Sequence, residues 1–276
     1  MVVRQGPAVR IALLGYGVMG REVERLAVER GDAVVARIDR GVPPLDEEAL
    51  ADAEVAIEFA GPEGAFARIR EATALGLPVV SGSTGFDDEL AALKAEVASG
   101  PGALLHAPNL SIGVALFERV VRRAAELLDG VDAYTLHLDE THHTRKVDHP
   151  SGTARWLAEG VVEAVDRLDR WEGTLVAGAD GEEGPAEGAA ADRADDDLVA
   201  DVPRRVLRVR SYREGDVAGT HTLRAVGPDD MIELTHRATS RDGFARGALT
   251  AARWLRGRRG LFTLDDVLDD LGSTHA

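Results

Sequence analysis

The stretch Glu140 to Ala154, ETHHTRKVDHPSGTA, holds the residues of this chain best suited to chemistry. His142 and His143 are adjacent, and either imidazole titrates near neutrality and can hand over a proton. Lys146 offers fixed positive charge to a carboxylate or to negative charge that develops during a reaction. Pro150-Ser151-Gly152-Thr153 leads into Ala154 to Leu157, which can begin a helix. The amides of Ser151, Gly152 and Thr153 would then point outward at the positive helix end and cradle an anion. With Arg145 and Lys146 they form a positive island in an acidic chain, which calls for an anionic ligand. The plain alternative is a surface loop with one packed histidine. Glu140, His142, His143, Asp148 and His149 also carry zinc-binding atoms, but Arg145 and Lys146 oppose a cation and no H-E-x-x-H spacing occurs. No metal is expected.

These residues need elements to position them. Ala133 to Leu138 reads as a short strand that releases the histidine segment as a loop, and Thr153 to Leu168 as the helix behind the cradle. Far upstream, Val9 to Leu14 reads as a buried strand, followed at once by Gly15-Tyr16-Gly17-Val18-Met19-Gly20 and a helical pattern through Arg30. This is G-x-G-x-x-G between a strand and a helix: Gly15 for the turn, Gly17 for close approach of a pyrophosphate, Gly20 for helix packing. A second strand, Ala33 to Ile38, ends at Asp39 and Arg40, where a carboxylate can accept from a ribose hydroxyl and a guanidinium can pair with a 2′-phosphate. Together these predict a dinucleotide site.

Further strands at Glu54 to Phe59, Pro78 to Ser81 and Ala103 to Ala107 alternate with helices at Glu63 to Leu75 and Asp87 to about Ala98, which predicts a parallel sheet. Gly82-Ser83-Thr84-Gly85 and Ala107-Pro108-Asn109-Leu110 follow strand ends, on the side where such sheets bind ligands. Pro108 to Gly113 looks like an interdomain crossing. Beyond a helix at Val114 to Leu128, strands at Val206 to Tyr212, Val217 to Ala225 and Met231 to Ala238, joined by short turns, predict an antiparallel or mixed sheet. Helices at Gly243 to Arg256 and Leu264 to Leu271 return to the first domain. The fold class is α/β, with residues 1–112 plus 238–276 binding dinucleotide and 113–237 forming a second, α+β domain.

The bulk properties narrow the partners. Cysteine is absent from the 276 residues, which excludes disulfides and thiol nucleophiles and fits a reducing, cytoplasmic setting. The apolar run near the N-terminus is too short for a membrane span. A formal charge of −16 repels nucleic acid and anionic membranes. The arginine runs at Pro203 to Arg213 and Trp254 to Gly260 read as a half-buried strand and a helix end. Gly178 to Asp201 carries nine acids against Arg193 alone and reads as an acidic surface loop.

The central stretch resembles the signature of the 4-hydroxy-tetrahydrodipicolinate (dihydrodipicolinate) reductase family. The likeness extends in order through GYGVMG, GSTGF at Gly82 to Phe86, APNLSIGV at Ala107 to Val114, REGDVAGTH at Arg213 to His221 and HRATSRDGFARGAL at His236 to Leu249. It implies a Rossmann domain, a substrate domain whose open sheet builds a homotetramer, and NADH- or NADPH-dependent reduction of a cyclic dicarboxylate in lysine and diaminopimelate synthesis. By position it implies His142 as proton donor with Lys146 as second catalytic cation. His143, Gly152 and Thr153 would bind substrate carboxylates, as Ser151 and Thr84 can. Cofactor contacts would fall on Gly15 to Gly20, Asp39, Arg40, Gly82 to Thr84 and Ala107 to Leu110. Val18 stands where many members carry arginine, and Leu110 where phenylalanine is common. Two other readings are a Rossmann dehydrogenase for an amino or imino acid, such as aspartate dehydrogenase, and a nucleotide sensor without turnover.

Overall fold

The computed structural model describes residues 7–39, 45, 47–176, 205–240 and 242–273. Arg40 and the acidic stretch Gly178 to Asp201 lie outside the described residues. The chain divides into two compact units, Met1–Ala115 with Asp242–Ala276, and Leu116–Arg241.

The first unit is built on a parallel sheet of β1 (Arg10–Leu14), β2 (Ala33–Ile38), β3 (Val55–Glu58), β4 (Pro78–Ser81), β5 (Ala103–His106) and β11 (Gly260–Phe262). Its order is β11-β5-β4-β3-β1-β2, with every pairing parallel. All four residues of β3 and of β4 are buried, as a sheet covered on both faces requires. Helices α1 (Val18–Glu29), α2 (Glu47–Leu50), α3 (Pro62–Ala74) and α4 (Asp87–Ser99) connect the strands. Leu14, Ile69, Val79, Leu93 and Leu104 lie in one buried cluster. The strand order reverses direction between β1 and β3, the place where such sheets open a ligand crevice.

The chain returns to this unit through α7 (Asp242–Leu255), β11 and α8 (Leu264–Ser273). On α7, a Cβ at Gly247 would overlap the carbonyl of Leu110, so glycine lets that helix approach the backbone after β5. β11 pairs with β5 at Gly260↔Ala103. It is only three residues long, and its sequence carries no alternation from which a strand could be read.

The second unit is a five-stranded open mixed sheet, β10-β9-β6-β8-β7. Its strands are β6 (Thr135–His142), β7 (Arg170–Leu175), β8 (Val206–Arg213), β9 (Thr220–Val226) and β10 (Met231–Arg237). β6 pairs parallel with β8 and antiparallel with β9. Helices α5 (Ile112–Asp129) and α6 (Gly152–Ala164) supply Phe117, Val121, Leu157 and Val161 to a core shared with Leu138, Leu207, Val209 and Leu223.

Three local readings change. β6 continues past Leu138 to His142, because β8 and β9, from distant sequence, pair with it through Thr141 and beyond. The histidine is therefore fixed at a strand end instead of released in a loop. β7 is an additional edge strand whose residues are mostly exposed, so it shows no apolar run. The segment after Pro108 turns helical at Ile112, with Ser111 Oγ accepting from Val114 N at 3.4 Å, and the division between the units falls inside α5.

Candidate active site

In the first unit the loops at the carboxyl ends of the strands gather round the switch point. Gly15 has φ +99°, and a Cβ there would collide with the Phe59 carbonyl. A Cβ at Gly20 would collide with the Gly15 carbonyl. Gly17 differs: nothing lies within 4 Å of where its side chain would sit, and no side chain caps the helix it begins. Unspent amides at the positive end of α1, open to close approach, suit a pyrophosphate. A cavity of about 650 Å³, lined by Gly15, Gly17, Asp39, Phe59, Ala60 and Arg68, adjoins them. The residues present thus fit a dinucleotide. Val18 is 67% exposed and Met19 partly buried at the head of α1. The hydroxyl of Tyr16 bonds Glu24, which also pairs with Arg37.

Beneath these loops lies an acid not singled out in the sequence. Glu58 ends β3 fully buried, and it accepts from Ala60 N at 2.5 Å, Ser81 Oγ at 2.6 Å and Ser83 Oγ at 2.8 Å. Ser83 Oγ in turn accepts from Gly61 N at 3.1 Å. One carboxylate therefore ties the loop after β3 to the loop after β4, and burial pushes its pKa up against those bonds. Ser83 is buried while Thr84 is exposed. Gly82 packs against Phe59 and Leu110, and Leu110 and Ala107 are buried while Pro108 is exposed. Asn109 turns the chain by accepting from Ser111 N at 2.9 Å.

In the second unit Glu140, Ser211 and His221 are register partners across β6, β8 and β9. Glu140 is fully buried, and its Oε1 accepts from Ser151 N at 2.9 Å and Ser211 Oγ at 2.7 Å. Its Oε2 lies 3.3 Å from His142 Nδ1 and 3.7 Å from His221 Nε2. Burial alone would raise its pKa, but His142, Ser151 and Ser211 more than reverse this and hold it at about 2. His221 packs edge-on against His142 with ring centroids 5.2 Å apart. Burial, helped by the neighbouring His142, drives the His221 pKa down to about 3, so that ring is neutral. The ligand atoms of Glu140, His142 and His221 lie within 4.8 Å of one another.

The cradle needs one correction. Ser151 is buried, its amide is spent on Glu140, and its Oγ accepts from Ala154 N at 3.1 Å as the cap of α6. Its amide therefore does not face outward, and the residue instead fixes the start of α6 against β6. Gly152, the first helical residue, is exposed, with nothing within 4 Å of where a side chain would stand, and Thr153 follows it half-buried. The positive island is also partly neutralised: Arg145 pairs with Asp216 at 2.7 Å and Lys146 with Asp148 at 2.8 Å. Arg213, at the end of β8, donates from Nε to the Lys146 carbonyl at 3.1 Å and from Nη2 to the Asp148 carbonyl at 2.7 Å. Glu140 was visible in sequence only as a conceivable metal ligand. Arg213 and His221 lay inside the REGDVAGTH resemblance with no role attached.

The family described as dihydrodipicolinate reductase, N-terminus, matches residues 9–110, and its C-terminal counterpart matches residues 113–268. The chain belongs to the dihydrodipicolinate reductase family. A 4-hydroxy-tetrahydrodipicolinate reductase of Christiangramia forsetii is 35% identical over 261 residues, covering 95% of this chain and 98% of the relative. One from Myxococcus xanthus is 38% identical, covering 94% and 97%. Among solved structures, a dipicolinate-bound dihydrodipicolinate reductase from Paenisporosarcina sp. TG-14 shares the fold, with TM-score 0.69 at 21% identity over 93% of this chain and 98% of that one. Among the described residues, no helix is long and apolar enough to cross a membrane.

Proposed function

We propose that this chain reduces dihydrodipicolinate, formed from 4-hydroxy-tetrahydrodipicolinate by loss of water, to tetrahydrodipicolinate with NADH or NADPH, in lysine and diaminopimelate biosynthesis. The observation that carries the reading is the complete histidine, lysine and helix-start set at the end of β6 and the head of α6, inside a family match that spans both units.

Reduced nicotinamide supplies a hydride when bound. Everything else falls to the protein. Gly15 to Gly20, Asp39, Gly82 to Thr84 and Ala107 to Leu110 hold the dinucleotide, with Glu58 keeping two of those loops in register. Gly152 and Thr153 at the start of α6, with His143 and Lys146, hold the carboxylates of the substrate. His142 gives its proton to the atom left electron-rich by hydride arrival, and Lys146 offsets negative charge at that stage. NADH oxidation measured by absorbance with freshly generated substrate tests this: activity is expected, its loss in His142→Gln is expected, and absence of turnover would reject the reading.

Both coenzymes serve, with a preference for NADH. Asp39 repels a 2′-phosphate, and the exposed Val18 supplies no cation to attract one. Arg40, outside the described residues, is the group that keeps NADPH usable. Rates at equal coenzyme concentration check this, and a strong NADPH preference would contradict it. The protein works as a homotetramer in the cytoplasm. Self-association is supported by exposed Leu175, Met231 and Ile232 on the two edge strands of the open sheet. Light scattering on the eluting protein gives the mass that decides it.

A further inference from the structure

His142 Nδ1 and Glu140 Oε2 are both buried, and neither has a hydrogen bond to any other group among the described residues. They face each other at 3.3 Å. A buried polar atom left without a partner is destabilising, so two such atoms opposed at this distance call for one proton between them. The carboxylate cannot swing away, because Oε1 is held by Ser151 N and Ser211 Oγ. The opposite edge of the ring looks toward Gly219. A Cβ there would stand 3.1 Å from Nε2, and glycine leaves that edge uncrowded.

We infer that Glu140 is a positioning residue that accepts the Nδ1 proton of His142, fixing the ring so that Nε2 alone exchanges a proton with the substrate. The inference rests on His142 being the proton donor. It adds which nitrogen acts and what holds it. In the charged ring both nitrogens carry protons. Transfer from Nε2 to the substrate leaves a neutral ring with its remaining proton on Nδ1, still bonded to Glu140, and solvent then restores the proton at Nε2.

The groups around the ring favour this assignment. Glu140 lies on its own strand, and His221, on β9, is neutral. His236, on β10, and Lys146, in the loop after β6, both act on His221. Arg213, on β8, reaches 3.9 Å from Glu140 Oε1. Among the described residues the Glu140 carboxylate alone lies within ion-pair distance of His142, so it is the group that stabilises an imidazolium there.

Nitrogen-15 NMR of histidine-labelled protein from pH 5 to 9, with His142→Gln to assign the signal, reads the tautomer directly. The neutral His142 is expected to carry its proton on Nδ1. In Glu140→Gln, which keeps an oxygen for Ser151 and Ser211, kcat is expected to fall at least about tenfold. The basic limb of its pH profile should move down by roughly one unit, with KM for the coenzyme little changed. A purely structural Glu140 would leave that limb in place, whatever its removal did to stability. An Nε2-protonated neutral ring, an unmoved limb, or a stoichiometric metal bound at Nδ1 would each overturn the inference. If Glu140→Gln does not fold, the wild-type tautomer still decides. If His142→Gln stays fully active, the proton-donor reading falls while the tautomer measurement still tests the pair.

Discussion

Lys146 Nζ stands 2.8 Å from Asp148 Oδ1, so the ammonium proposed to meet the substrate is already paired with a carboxylate two residues along the same loop. Burial raises the Asp148 pKa, but Lys146 outweighs it and the net shift is downward, so Asp148 is ionised at neutral pH. In Lys146→Ala that carboxylate is left facing an incoming dianion. KM for the substrate is expected to rise on the order of tenfold, and the double variant with Asp148→Asn should recover part of the loss. Steady-state kinetics of the two variants measures this; a double variant no better than the single one would mean that Asp148 does not face the substrate.

The glycines of the first loop should separate by kind. Gly15→Ala meets both a positive φ and the Phe59 carbonyl, and Gly20→Ala meets the Gly15 carbonyl, so each is expected to lose at least about 2 kcal/mol of stability. Gly17→Ala has open space and should unfold at the same denaturant concentration as the parent, yet bind NADH more weakly. Denaturation midpoints and coenzyme titration on the three variants give the comparison.

Two buried acids should respond to pH in opposite directions. Folding raises the Glu58 pKa above the ordinary 4.5, so its ionisation costs stability progressively as pH climbs above that value. Glu58→Gln lacks this cost, and its stability relative to the parent should improve from pH 4.5 towards neutrality. Glu140 is shifted down to about 2. Its contribution is fully present above pH 4.5 and is lost as pH falls through about 2. Glu140→Gln should therefore be weaker than the parent by on the order of 3 kcal/mol at neutral pH, the gap closing in acid. Urea unfolding at a series of pH values tests both signs.

Arg213 holds the Lys146 and Asp148 carbonyls with separate guanidinium nitrogens. A lysine carries one donor head and cannot reproduce that fork. Arg213→Lys is expected to raise the substrate KM several-fold while leaving coenzyme affinity near that of the parent, as paired titrations would show.

What could be read from the chain was whatever repeats locally. The β1, α1 and β2 alternation, the glycine loop and Asp39 are adjacent in sequence and appear where their spacing put them. His142, Lys146 and Ser151 were marked by residue type. The Ser151 amide expected to point outward is instead taken by Glu140, which reaches it across a strand end. Glu140 itself gains meaning only when β8 and β9 bring Ser211 and His221 alongside, from about 70 and 80 positions away. Glu58 depends likewise on two serines from the neighbouring loop. β7 and β11 are an exposed edge and a three-residue strand, and both arise from pairing that no local pattern announces.

The first sheet closes only when the last stretch of chain comes back to it. While the protein is being synthesised, the whole middle unit leaves the ribosome before Gly260 can reach β5 or α7 can cover the backbone at Leu110. A message cut short after Arg241 would yield a finished middle unit joined to a first unit whose sheet has an unguarded margin, a product destined for quality control.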